Sequence, residues 1–199
     1  MNLDEYRTVF VAASLVLVLI VAAPTVGLIV PFPRGGEAFS ELWLLGPKRM
    51  AEDYPFNVRI NDTYRVFVGV GNHLGISSYY LIYVKFRNST QPLPNVTASQ
   101  PSPLAPLYEF RAFVTDGDAW EKPFKLIVLE ASRSDDSTVI NRLAVNDVVL
   151  DVNFSTSWDS AHNGFYFQLF FELWLFNVNT QSFQYHNRFV GIWLNMAAS

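Results

Sequence analysis

The chain has 199 residues, a formal net charge of −4 and no cysteine, so disulfides and thiol chemistry are excluded. The charge is too mild to indicate a nucleic-acid-binding surface. Only 16% of the residues are charged, below the roughly 25% of typical soluble domains, which indicates that lipid or other proteins cover part of the surface.

The first predicted element is a transmembrane helix over residues 9–30, which follows an N-terminal tail at residues 1–8. No charged side chain interrupts this segment. At about 1.5 Å per residue it reaches roughly 33 Å, which matches the hydrocarbon thickness of a bilayer. A cleaved signal peptide is the alternative, but its apolar region is usually shorter, and Pro24 directly follows the small residues that could form a cleavage site.

The orientation of this predicted anchor depends on two opposing signals. Arg7 precedes the helix, whereas a few basic residues follow it, so the positive charges slightly favour a cytoplasmic domain. Sequons for N-glycosylation favour the outside, and they lie at Asn61, Asn88, Asn95 and Asn153. We expect a single-pass protein of the cell membrane with its C-terminal domain outside the cytoplasm and carrying N-glycans.

The rest of the chain is predicted to be all-β. Residues 31–38 form a linker, because proline and glycine there cannot continue a helix. Residues 39–199 then alternate between apolar or aromatic runs and turn signals, which predicts an immunoglobulin-like β-sandwich. The predicted strands cover residues 39–45, 57–71, 78–86, 108–115, 124–130, 139–143, 148–154, 165–177 and 183–196, of which the last two form a long hairpin.

A Pro/Ser-rich loop at residues 91–106 interrupts this series of strands. Long loops of this kind are either mobile or functional. One interpretation is a tolerated surface insertion, and the other is an arm that contacts a partner or carries a glycan.

The predicted strand at residues 165–177 has two unusual faces. One face carries an apolar row from Phe165 to Leu175, as expected for a core. The opposite face should be mostly polar if it meets water, yet it is mostly aromatic. We therefore predict a partner-binding surface, formed by Tyr166, Phe170, Trp174 and Phe176, with Trp193 on the neighbouring strand. Two alternatives stay open: the hairpin buries both faces, or the Pro-rich loop covers the aromatic one.

Several segments resemble a known family. They are FSELWLLGP at residues 39–47, DYPFN at 53–57, VGVGNHLG at 68–75, and FFELWL at 170–175. Together they resemble the extracellular domain of an archaeal membrane family catalogued as domain of unknown function 1616. The resemblance implies an archaeal envelope setting but no chemistry, because the family has no assigned activity. Its members often carry several membrane spans, whereas this chain has one predicted span.

No catalytic, metal or cofactor site is predicted. The histidines His73, His162 and His186 lack the spacing of a metal motif. Acidic residues cluster between Asp116 and Glu121, but the ligand set of a calcium loop is incomplete and Asp-Gly is a common turn signal.

These patterns predict a non-catalytic, membrane-anchored protein of the cell envelope. We expect an accessory or structural subunit that docks on other membrane or surface proteins through its aromatic face. The alternative is an extracellular module that binds glycans or peptides, since exposed tryptophan and tyrosine suit sugar stacking.

Overall fold

The computed structural model describes residues 3–29 and 37–196, with side chains at residues 6–20 and 37–196. Contacts between residues divide the chain into two compact units, Met1–Glu37 and Ala38–Ser199.

The first unit contains helix α1, Leu3–Ile29. Its side chains at residues 6–20 are all exposed, and most of them are apolar, including Val9, Phe10 and Leu15. Among the described residues, no helix combines the length and the hydropathy needed to cross a membrane. The predicted span at residues 9–30 lies only partly within the described residues. Its side chains from residue 21 onward, and the whole of residue 30, are outside them.

The second unit is all-β between residues 37 and 196. It forms ten strands, with these bounds: β1 Phe39–Leu45, β2 Asn57–Val58, β3 Thr63–His73, β4 Ser78–Asn88, β5 Tyr108–Val114, β6 Ala119–Arg133, β7 Ser137–Val145, β8 Val148–Ser157, β9 Tyr166–Asn177 and β10 Ser182–Met196.

The strands form two five-stranded sheets. The first sheet has the order β1-β3-β6-β7-β8, and all of its neighbouring strands are antiparallel. The second has the order β2-β10-β9-β4-β5, and only its edge pair β2–β10 is parallel. The predicted long hairpin is confirmed as β9–β10.

The core lies between the two sheets. Alternate residues of each strand point inward, so that Val66, Val68 and Val70 of β3 join the same cluster as Phe171 of β9. Aromatic contacts cross the gap, for example Phe124 of β6 against Phe171 at a centroid distance of 5.2 Å. Full burial of side chains of this size contributes about 1.5–3 kcal/mol each. The predicted core row of β9 and the two-layer β-sandwich are therefore confirmed.

The strand order departs from the immunoglobulin pattern. In that fold one sheet has the strand order A-B-E-D. Strand E, which lies beside B, therefore comes after the edge strand D in the sequence. Here β6 lies beside β3, and β7 and β8 follow it outward. The immunoglobulin-like refinement of the prediction is not confirmed.

Two strand boundaries differ from the prediction for local reasons. The segment 57–71 divides into β2 and β3, because Asn61 has a φ of 67° and turns the chain from one sheet to the other. Strand β6 extends beyond both ends of the predicted 124–130 segment. It includes Pro123, which a strand can accommodate here because β7 pairs with β6 only from Leu126 onward.

The sandwich has two ends, which we name from the strand register. The upper end is where β1 begins, and it includes the β3–β4 and β9–β10 connections. The lower end is opposite: there Asn88 pairs with Phe167, and Asn195 lies between Tyr166 and Asn57.

Candidate functional site

The outer face of the second sheet is not an open aromatic surface. The connection between β4 and β5, which contains the Pro/Ser-rich segment, crosses this face and is held there by hydrogen bonds to β4, β9 and β10. Phe170 is 0% exposed beneath it. Of the interpretations that the sequence left open, the structure supports the one in which the loop covers the aromatic face, and Phe170 is not accessible to a partner.

A buried ion pair holds the loop in place. Lys85 Nζ lies 2.8 Å from Glu172 Oε2, and their side chains are 4% and 0% exposed. Lys85 also donates to the carbonyl oxygen of Ser102 at 2.7 Å, and Glu172 Oε1 accepts from the Ser102 amide at 2.8 Å. Both charges are thus satisfied by each other and by one residue of the loop.

Trp174 and Phe176 of the predicted partner surface are half-buried. The Trp174 indole donates to Glu172 Oε2 at 3.3 Å, and its ring packs against Tyr185 at 5.9 Å. Burial, followed by the charge of Glu172, raises the pKa of Tyr185 to about 12. Trp174 thus belongs to the covered polar network.

Two other predicted residues, Tyr166 and Trp193, lie together at the lower end. They line a cavity of about 470 Å³. The residues around this lower-end cavity are Phe56, Arg87, Ser89, Asp159, His162, Tyr166 and Trp193.

Strand register explains why residues distant in sequence meet there. Trp193 of β10 pairs with Gln168 of β9, which pairs with Arg87 of β4, so these three side chains form a row across the outer face. Phe56 reaches the same place because it precedes β2, and its carbonyl oxygen accepts from the Asn195 amide at 2.6 Å.

A tight turn at residues 159–164 forms one wall of the lower-end cavity. Asp159 accepts hydrogen bonds from two turn amides and lies 2.8 Å from Nδ1 of His162. Tyr166 donates from its hydroxyl to the His162 carbonyl oxygen at 2.7 Å, which fixes the ring. A Cβ at Gly164 would lie 2.8 Å from Cζ of Tyr166, so glycine permits this ring position. The wall is therefore preformed.

The lower-end cavity combines aromatic faces with one buried cation. Cζ of Arg87 lies over the Trp193 ring, 5.4 Å from its centroid, in a cation–π contact, and Arg87 donates from Nε to Gln168 Oε1 at 2.9 Å. It also donates to the Gln91 carbonyl oxygen. Burial lowers the pKa of Arg87 below its ordinary value, although an arginine remains charged at neutral pH. Ring faces beside fixed polar groups form a site that can stack on a sugar ring and orient its substituents.

The upper end of the sandwich exposes a separate apolar patch. Ile76, Phe113 and Val178 are 68%, 70% and 74% exposed. They surround a second cavity of about 410 Å³ that also involves Phe176. Exposed apolar groups concentrated in this way suit contact with another protein or with lipid.

A serine and a histidine meet near the upper end. His186 Nε2 lies 3.0 Å from Ser40 Oγ, and the Tyr80 hydroxyl lies 2.7 Å from the same oxygen. Burial, followed by the charge of Arg188, lowers the pKa of His186. Ser40 is only 1% exposed, so a substrate cannot reach its hydroxyl, and the cluster links β1 and β10 across the two sheets.

The acidic segment that begins at Asp116 is a turn, as predicted. Gly117 has a φ of 82°, and the Asp118 amide donates to the Thr115 carbonyl oxygen at 3.1 Å. Asp116 Oδ1 accepts from the Gly75 amide. Across the described part of the chain, no three His, Asp or Glu side chains lie close enough to hold a metal ion.

Three of the four predicted glycosylation sites, Asn61, Asn95 and Asn153, are exposed. Asn88 differs from them. It is half-buried, and its side-chain amide nitrogen, the atom that a glycan would modify, donates to the Ser155 carbonyl oxygen at 2.9 Å.

Residues 33–138 match the model of the family described as Domain of unknown function (DUF1616), and this match covers more than half of the chain. The chain belongs to this family. Of the lower-end cavity, Phe56, Arg87 and Ser89 fall within the part that matches DUF1616, whereas Tyr166 and Trp193 lie beyond it. No curated protein matches the chain.

Solved structures give only weak similarity. A β-glucosidase from Listeria innocua in complex with glucose aligns at 17% identity with a TM-score of 0.31 over 60% of this chain and 16% of that one. Its complex with gluconolactone aligns at 18% identity with a TM-score of 0.32 over the same shares. This DUF1616 protein thus spans a small part of that chain's length, and similarity at this level gives no information on activity.

Sequence reasoning found Tyr166 and Trp193 through the aromatic row but missed their neighbours. Phe56 lies outside any regular aromatic pattern, and Arg87 has the charge expected of a solvent-facing strand residue. Lys85 and Arg87 occupy alternate positions of β4, but no local pattern distinguishes this covered face from one that meets water.

Proposed function

We propose that this protein is a non-catalytic, membrane-anchored carbohydrate-binding module of the cell envelope, and that the lower-end cavity is its binding site. The observation that carries the proposal is the convergence of Phe56, Tyr166 and Trp193 around one cavity of about 470 Å³, whose lining also includes Arg87. Aromatic faces that stack on sugar rings contribute most to affinity where their positions are fixed before the ligand binds. Here the hydrogen bond of the Tyr166 hydroxyl and the cation–π contact of Trp193 with Arg87 fix the two rings.

The proposed anchor is the helix predicted at residues 9–30. It is supported by the exposure of apolar side chains such as Phe10 and Leu17 in α1, which need a non-aqueous environment. An extracellular domain is proposed from the sequons, and N-glycans are proposed at the exposed Asn61, Asn95 and Asn153.

Docking on another envelope subunit is the second candidate function. The upper-end patch favours it, because Ile76, Phe113 and Val178 are largely exposed around one cavity. The site for docking would thus be this patch rather than the covered face around Phe170.

The two functions are separable by paired variants of the full chain. Trp193→Ala removes a stacking ring at the lower end, and Phe113→Ala removes an exposed ring of similar kind at the upper end. A glycan array, followed by titration of the best-bound oligosaccharide, measures the first function. Native mass spectrometry after mild-detergent extraction measures the second.

We expect Trp193→Ala to weaken oligosaccharide binding by about 1–3 kcal/mol, the range for loss of one aromatic contact. Phe113→Ala should leave this binding unchanged. If the wild-type chain binds no glycan but co-migrates with a defined partner that Phe113→Ala releases, docking replaces carbohydrate binding as the function.

A further inference from the structure

Arg87 places an uncompensated positive charge against the lower-end cavity. The residue is 7% exposed, and among the described residues no carboxylate lies within ion-pair distance of it. Its hydrogen-bond partners are the neutral oxygens of Gln168 and Gln91. By contrast, the other buried cation on this face, Lys85, has Glu172 as its counter-charge.

A buried charge without a partner is costly, because neutral hydrogen bonds recover only part of the lost hydration. The cost is consistent with the lowered pKa of Arg87, whose cause is burial. An anion in the lower-end cavity would supply the missing charge. The hydrogen bonds to Gln168 and Gln91 use Nε and Nη1, and a guanidinium carries five N–H donors, more than these two bonds need.

The acidic residue in the wall does not take this role. Asp159 accepts from the amides of Ala161 and His162 and from the His162 ring. These bonds, of which the one from the His162 ring has the largest effect, lower the pKa of Asp159. Its carboxylate thus serves the turn at residues 159–164 rather than Arg87.

We propose that the lower-end cavity selects acidic sugars: a pyranose ring that carries a carboxylate or sulfate group, with its ring stacked on Trp193 or Tyr166 and its anion paired with Arg87. This inference rests on the proposed function and names the class of carbohydrate. The arginine fork suits both anions because each offers several acceptor oxygens.

The test compares three probes on the full chain, in a detergent without a sugar head group. The probes are methyl β-D-glucuronide, glucose 6-sulfate and the neutral methyl β-D-glucoside, each titrated by ligand-observed NMR. At least one acidic probe should bind about tenfold more tightly than the neutral one, as expected for a charge-assisted hydrogen bond. The difference should shrink with added salt.

Arg87→Gln should abolish the preference for acid while retaining weak binding of the neutral sugar. Arg111→Gln, at an exposed arginine of β5 that pairs with Glu109, is the matched control and should retain the preference. If Arg87→Gln does not fold, the salt dependence of the wild-type chain decides by itself.

Each outcome has a distinct meaning. Equal binding of acidic and neutral probes, or a preference that salt does not reduce, overturns the inference and leaves carbohydrate binding in place. No binding of any probe, together with an empty glycan array, overturns the proposed function itself. Binding of one acidic probe alone supports the inference and identifies which anion the site takes.

Discussion

At the scale of single residues, the most consequential feature is the ion pair between Lys85 and Glu172. Each ion is buried, so each would be destabilising alone. The pair is tolerated because Ser102 accepts from Lys85 and donates to Glu172, which also accepts from Trp174. A hydrophobic face would avoid the free-energy cost of desolvating two ions, but it would leave the loop without a specific attachment. The pair thus sets where the loop lies rather than adding large net stability.

Lys85→Met should therefore destabilise the fold by about 3–5 kcal/mol, because it leaves the Glu172 charge buried without its cation. The double variant Lys85→Met/Glu172→Leu should lose less than the single one, since no charge remains. Urea unfolding followed by tryptophan fluorescence measures both. Arg111→Met, which removes an exposed ion pair, is the control and should cost at most about 1 kcal/mol. A double variant with a lower free energy of unfolding than Lys85→Met would contradict this account.

At the scale of elements, the loop between β4 and β5 behaves as part of the sheet that it covers. We predict that the Ser102 amide, which donates to Glu172, exchanges slowly with deuterium, and that Glu172→Ala speeds its exchange by at least about tenfold. The amides of Asn95 and Gln100 bond to each other's carbonyl oxygens within the loop, so their exchange should not change. Amide-resolved hydrogen exchange tests this, and an unchanged Ser102 rate would show that the ion pair does not hold the loop.

The same elements show what a sequence can reveal. The alternation in β9 is local, so it predicted both the core row and the aromatic row, and the hairpin with β10 followed from the turn between them. Whether the loop covers Phe170 depends on where the loop lies. The parallel pairing of β2 with β10 brings Asn57 beside Asn195. These are long-range contacts that no local period encodes. The lower-end cavity was not predicted, although two of its residues were: Tyr166 belongs to the aromatic row of β9, and Trp193 was placed beside that row on the neighbouring strand. The position of Arg87 next to Trp193 depends on the strand register through Gln168.

At the scale of the whole molecule, the two compact units imply a separable domain. The core cluster lies entirely within the β-sandwich and draws on both of its sheets, so this unit contains the apolar contacts that it needs to fold. We predict that residues 38–199, expressed alone, unfold cooperatively with a Tm within a few degrees of that of the full chain. Differential scanning calorimetry of both forms provides the comparison, and a broad or absent transition in the short form would show that the domain depends on residues 1–37.

The same pair of proteins tests the proposed anchor. Helix α1 exposes apolar side chains from Val9 to Ile20, and their transfer from water into lipid is favourable by about 25 cal/mol per Å² of apolar surface. The full chain should stay in the membrane pellet after an alkaline carbonate wash, and the 38–199 form should remain in the supernatant. The segment 9–30 contains no charge that would oppose insertion. Release of the full chain by the same wash would remove the anchor from the proposed function while leaving the lower-end cavity and its ligand untouched.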